Sequence, residues 1–179
     1  MDSSFTGGWY PDLAKYQPIE NKDDFIPDNL SGFYAVSFDP KGILGWKSNK
    51  IIDEDPGYGD TQIIEVLTEQ VNGRYLAYLQ SMDIPYIFAG ESEIDVKIAL
   101  EKLKTLMDIN CLLLEGGSIV NGYFQRADVI DELSLVVAPI IADSTDKPLF
   151  MDRIASDFKL KEIKQYDAVV WMNYKKVEE

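Results

Sequence analysis

The 179-residue chain has no histidine at all, one cysteine, Cys111, and three arginines, Arg74, Arg126 and Arg153. With a single thiol no internal disulfide can form, and with no imidazole a zinc or iron site would have to be built from carboxylates, a set that suits magnesium or calcium instead. No metal site is therefore expected. The acidic run Asp53–Asp60 does not supply one, because it lacks the alternating acids and distal glutamate of a calcium loop. It reads as a solvated surface loop. Cationic surface is scarce too: the net charge is -14, and no basic stripe with interleaved aromatics relieves it, so nucleic-acid binding is excluded. No apolar run approaches the ~20 residues needed to cross a bilayer. Met1 is followed by neither a basic segment nor an apolar signal core, which leaves the cytoplasm as the expected location.

What is present is an ordinary globular composition, 46% hydrophobic and 27% charged, long enough for one domain with a proper core. Residues 1–32 mix turn formers with isolated aromatics and predict loop with one helical turn. Phe33–Phe38 is a β-favouring run closed by the Asp39-Pro40-Lys41-Gly42 turn. Thr61–Leu67 and Pro85–Ala89 are further strands. Between them, residues 70–82 predict a helix buried through Val71, Tyr75, Leu76 and Leu79. A second helix follows from Val96, Ala99, Leu100, Leu103, Leu106 and Met107 at three-and-four spacing. Cys111–Leu114 is an unbroken apolar run, as expected of a strand buried on both faces, which would make the Cys111 thiol buried and inert. Glu132–Ile141 predicts a strand. Phe158–Gln165 and Ala168–Lys175 predict an antiparallel pair joined at Tyr166-Asp167. Strands alternating with helices make the fold class α/β with a largely parallel sheet.

The stretch with most chemical content is Asn110–Arg126, NCLLLEGGSIVNGYFQR. Glu115 interrupts the apolar run. Gly116 and Gly117 lack a Cβ, which lets a ligand lie against the backbone. Ser118 is the expected N-cap of a helix held by Ile119, Val120, Tyr123 and Phe124. Free amides at a helix start, with the positive end of its dipole behind them, seat a phosphate or pyrophosphate. A glycine pair after a strand more often only reverses the chain, so spacing by itself favours the structural role. For Glu115 we favour a functional role, since a charge seldom follows four buried apolar residues without a partner.

The text EGGSIVNGYFQRADVIDELSLVVAPIIAD resembles the signature of the riboflavin-biosynthesis reductase domain, the RibD C-terminal domain family. The resemblance runs from about Phe5 to the C-terminus and is densest between Leu112 and Pro139. It implies a single dihydrofolate-reductase-like domain with flanking helices and a C-terminal antiparallel hairpin. It also implies NADPH-dependent reduction of a ribosylamino-pyrimidine phosphate or a related pterin-like small molecule, and a homodimer. On this resemblance Gly116, Gly117, Ser118, Ile119, Val120, Asn121 and Tyr123 line NADPH, with the amides of residues 117–119 on the pyrophosphate. Glu115 faces the substrate. Asp39 and Lys41 approach the adenosine half, with Lys47 and Ser48 near a 2'-phosphate. Asp131 and Glu132 match the motif but read as structural acids, and no catalytic residue is assigned.

Two family motifs are missing: a serine-x-aspartate-glycine-like first strand and a glycine-arginine-x-threonine-like segment. In the dihydrofolate-reductase fold that first strand lies between the strands corresponding to Cys111–Leu114 and Leu133–Ala138. The expectation is a domain lacking its N-terminal strand, whose natural product starts upstream of Met1. The alternative is a non-catalytic relative acting as a nucleotide-binding or dimerisation module.

Overall fold

The computed structural model describes residues 6–28, 30, 32–51 and 61–177. The acidic run Asp53–Asp60 lies outside them. The chain divides into two compact units, Met1–Asn110 and Cys111–Glu179.

In the first unit β1 (Tyr34–Phe38), β2 (Gln62–Leu67) and β3 (Tyr86–Phe88) form a parallel sheet in that order. β2 is central, and all six of its residues are buried. α1 (Gly73–Ser81) and α2 (Val96–Met107) complete the unit. Strand alternation sorts the sheet's side chains into two cores. Ile63, Leu67, Tyr86 and Phe88 pack with Tyr75, Leu76, Tyr78 and Leu79 of α1. Ile64, Val66 and Ile87 pack with Ala99 and Leu103 of α2. This is the layered α/β arrangement expected from the alternating pattern. Side chains set the helix starts: Asn72 accepts from the Arg74 amide, and Asp95 accepts from the amides of Lys97 and Ile98. α2 ends with Asp108 in the left-handed region at φ 53. Before β1, a 3-10 turn at Leu13–Lys15 matches the helical turn expected within the loop.

In the second unit α3 (Ser118–Arg126) precedes β4 (Glu132–Val137), β5 (Phe158–Tyr166) and β6 (Val169–Lys176). The strands pair antiparallel in the order β4-β6-β5. The turn between β5 and β6 falls at Asp167, with φ 53, one residue from its expected place. The register makes this sheet amphipathic. Leu133, Tyr174 and Leu160 share one face with Leu135, Met172 and Ile163. The opposite face is polar: Glu132 accepts from Lys161 and Asn173, Trp171 donates to Ser134, and Lys164 pairs with Glu162.

Four expectations need correction. Cys111–Leu114 is not a strand and joins no ladder among the described residues. An apolar run becomes a strand only where a neighbour takes up its amides and carbonyls, and hydrophobicity does not report that neighbour. Cys111 is accordingly exposed rather than buried. The strand expected to reach Ile141 ends at Val137, leaving Ile141 99% exposed. In α2 the periodicity places Leu106 in the core, but it is 46% exposed, because the packed face runs through Val96, Ala99, Leu103 and Met107 and Leu106 falls outside it.

Candidate functional site

The glycine turn leads straight into α3. Gly116 takes φ 97, a conformation that L side chains rarely adopt, and the Gly116–Gly117 peptide is cis. Gly117, not Ser118, is the N-cap, and it supplies no side-chain hydrogen bond. The first helical bond runs from the Asn121 amide to the Gly117 carbonyl at 3.0 Å. The amides of Ser118, Ile119 and Val120 therefore precede the helical ladder, at the positive end of the dipole. A Cβ built on Gly117 would meet nothing within 4 Å. Glu115, Gly117, Ile119 and Tyr123 are exposed, and Ser118 and Val120 are half-buried. Within this segment the donors an anion meets are backbone amides. Arg126, in the last turn, lies over the Tyr123 ring and donates to the carbonyls of Met151 and Asp152.

The buried face of α3 is Asn121, Gly122, Phe124 and Gln125. Of the apolar residues expected to hold this helix, Ile119 is 56% exposed and Tyr123 49% exposed. Polar pairing with the segment 149–156 holds it instead. Asn121 Nδ2 donates to the Leu149 carbonyl at 2.9 Å, while the Gln125 amide donates to the Ile154 carbonyl and accepts from the Ile154 amide. The Met151 amide donates to the Ser118 carbonyl at 2.9 Å. Asn121 Oδ1 is buried without a partner. Its side chain lies 3.5 Å from where a Cβ on Gly116 would sit, so it forms the floor of the turn.

This contact gives a prediction for Gly122, where an added Cβ would come within 1.9 Å of the Met151 carbonyl. A backbone atom cannot swing aside as a side-chain tip does. Gly122→Ala is expected to push residues 149–156 off α3, costing about 1 to 3 kcal/mol by overpacking. Hydrogen exchange at the Met151 and Ile154 amides checks it, with faster exchange at both expected.

In the first unit, the turn after β1 carries the remaining proposed cofactor residues. Residues 41–50 hold Lys41, Lys47 and Lys50 and no acid, in a chain of net charge -14. All three lysines are exposed. Asp39 is 1% exposed, and Oδ2 of its carboxylate accepts from the amides of Ile43 at 2.6 Å and Leu44 at 2.9 Å. Burial pushes that carboxyl above the usual carboxylate range, against the hydrogen bonds that pull it down. Asp39 thus shapes the turn that presents Lys41. Lys47 lies over the Trp9 ring at 5.7 Å.

Side chains that the sequence did not assign to this turn brace it. Thr68 donates to the Pro40 carbonyl at 2.6 Å, Tyr10 to that of Gly42 at 2.7 Å, and Tyr75 to that of Leu44 at 2.8 Å. Tyr78 donates to the Trp46 carbonyl, and the Trp46 indole donates to Glu65, a fully buried carboxyl in the middle of β2. The visible signal was the charge in Ile63-Ile64-Glu65-Val66-Leu67.

Among solved structures, the chain is similar to a pyrimidine reductase-like protein from Corynebacterium diphtheriae, at 18% identity and a TM-score of 0.65 over 82% of this chain. It is also similar to RibD from Acinetobacter baumannii in two forms, each at 21% identity, with TM-scores of 0.61 and 0.60 over 79% and 80% of this chain. The chain spans 62% of the first protein and 37% of the second. These likenesses establish the fold as that of the RibD-like proteins. The sequence model of the RibD C-terminal domain matches residues 59–172, well over half of the chain, and covers β2 through the first half of β6 with the glycine turn inside it. The chain therefore belongs to the RibD C-terminal domain family.

Proposed function

We propose that this chain binds NADPH across the Gly116-Gly117 turn and reduces a ribosylamino-pyrimidine phosphate, or a related pterin-like compound. The observation that carries the proposal is the open space over Gly117 in front of the unladdered amides of Ser118, Ile119 and Val120. Those amides take the pyrophosphate, for which a helix start is a natural seat. Exposed Ile119 and Tyr123 offer apolar surface beside it, with Asn121 beneath the turn. On the first unit, taken by itself, Lys41 is proposed as a phosphate-binding group, with Asp39 fixing its turn. Glu115, an acceptor when ionised, orients the substrate through hydroxyl or ring N–H groups. NADPH supplies the hydride, so the protein's own task is to bind and align, and the absence of histidine is no obstacle.

The test is thermal unfolding with and without NADPH, together with NADPH oxidation in the presence of the pyrimidine substrate. A ligand specific for the native state at a hundred times its Kd stabilises by about 2.7 kcal/mol, so a clear rise in Tm is expected. No rise at millimolar NADPH would remove the cofactor site. A rise without turnover on any pyrimidine or pterin would favour the non-catalytic, nucleotide-binding role.

A further inference from the structure

The first unit holds a buried acid cluster that the glycine-turn site does not use. Glu65 on β2 is fully buried, and the register sets it beside Ser37 of β1. Its Oε1 accepts from the Trp46 indole, while Oε2 is buried without a hydrogen-bond partner. Asp39 follows β1 and is itself 1% exposed. The other groups acting on Glu65 are the Ser37 hydroxyl on β1 and the hydroxyl-bearing rings of Tyr75 and Tyr78 on α1.

What Glu65 holds is a segment with little backbone support of its own. The Gly42 amide donates to the Asp39 carbonyl, while the amides of Ile43 and Leu44 and the carbonyls of Pro40, Gly42, Leu44 and Trp46 are taken by side chains of Asp39, Thr68, Tyr10, Tyr75 and Tyr78. No strand ladder includes these residues. A segment fastened by side chains moves when one of its fasteners becomes costly to bury. We propose that Glu65 is a proton-linked latch: as a neutral acid it holds Trp46 and the 40–46 segment closed, and its ionisation loosens the segment that presents Lys41.

The physical reason is a second negative charge appearing next to Asp39 on a fully buried carboxyl, a cost that outweighs the Trp46 and Ser37 hydrogen bonds favouring the charged form. Burial is the largest effect on this carboxyl, the Asp39 charge comes next, and together they hold it well above the ordinary range. The sign follows. Between the ordinary glutamate value, ~4.3, and the raised folded value, the native state binds more protons than the unfolded one, so stability falls as pH rises across that window. Below the window the stability is fully present.

The experiment follows the indole N–H resonance of Trp46 against pH in the nitrogen-15-labelled chain, assigned with Trp46→Phe. The parent is expected to titrate with a midpoint above the ordinary glutamate value, ~4.3. Glu65→Gln keeps an acceptor for the indole but cannot ionise, and its resonance is expected to stay flat. Should Glu65→Gln fail to fold, Asp39→Asn provides the second reading: removing the neighbouring charge is expected to lower the midpoint. A Trp46 resonance that does not move from pH 5 to 9, or an identical titration in either variant, would overturn the latch. The consequence for cofactor rests on the proposed role of Lys41. NADPH affinity is then expected to fall over the same pH interval in the parent and not in Glu65→Gln. A Trp46 titration with no matching change in affinity would confirm the latch and remove only the cofactor role of that lysine turn.

Discussion

Replacing Gly117 by valine is expected to abolish NADPH binding while leaving the fold in place. Both halves come from the geometry. Gly117 sits at φ -72 and ψ -165, an extended conformation that a β-branched residue adopts readily, and its new Cβ would meet no atom within 4 Å. In the proposed binding mode the same open space holds the pyrophosphate against the amides of Ser118–Val120. Two methyl groups there exclude it, and a loss of at least ~100-fold in affinity, about 2.8 kcal/mol, is expected. Titration of parent and variant with NADPH, paired with their circular dichroism spectra, measures both outcomes. Gly117→Ala should fall between them. An unfolded Gly117→Val variant of a parent that never bound NADPH would assign the glycines to chain reversal.

Leu76→Ala is the corresponding prediction for the scaffold. Leu76 has no exposed surface and packs with Tyr75 and Leu79 of α1 against Ile63, Leu67 and Tyr86 of the parallel sheet. Removing three carbons from such a site costs about 2 to 5 kcal/mol through lost transfer energy and the cavity left behind. Leu106→Ala on α2, at 46% exposure, is expected to stay within about 0.5 kcal/mol. Urea unfolding followed by tryptophan fluorescence separates the two. Equal losses would mean that the packing around α1 is wrongly described.

Those two leucines mark how far the sequence could be read. Helical periodicity placed both on buried faces, and both do lie on helices close to their expected bounds. Periodicity reports a face and not its exact width, so Leu106 falls outside the packed stripe while Met107, the next residue, packs against the core. The parallel strands were legible because β2 lies between two helices and is apolar on both faces. Cys111–Leu114 has the same apolar signature and is no strand, since pairing is a property of the partner. α3 was found with Phe124 buried as expected, but Ile119 and Tyr123 of the expected face are exposed. Besides Phe124, its packing runs through Asn121 and Gln125 hydrogen bonds to residues 149–156, and those two polar side chains carry no hydrophobic signal.

The two glutamates make the same point about the site. A charge inside or at the end of an apolar run signals an unusual environment, and that argument was spent on Glu115, which is exposed. Applied to Glu65, it would have located the buried acid that ties β2 to Trp46. Asp39 was picked out for its place after β1. The structure gives its carboxylate to the amides of Ile43 and Leu44, and leaves Lys41 as the exposed group of that turn. The glycine turn needed the least correction, moving the N-cap from Ser118 to Gly117.

The central claim, that NADPH lies over the glycine turn at the head of α3, is tested most directly by amide resonances recorded during a titration of the nitrogen-15-labelled chain with NADPH. The account predicts saturable shifts that are largest at Gly117, Ser118, Ile119 and Val120. Full saturation elsewhere with those four amides unmoved, or no shift at any amide at millimolar NADPH, would contradict it.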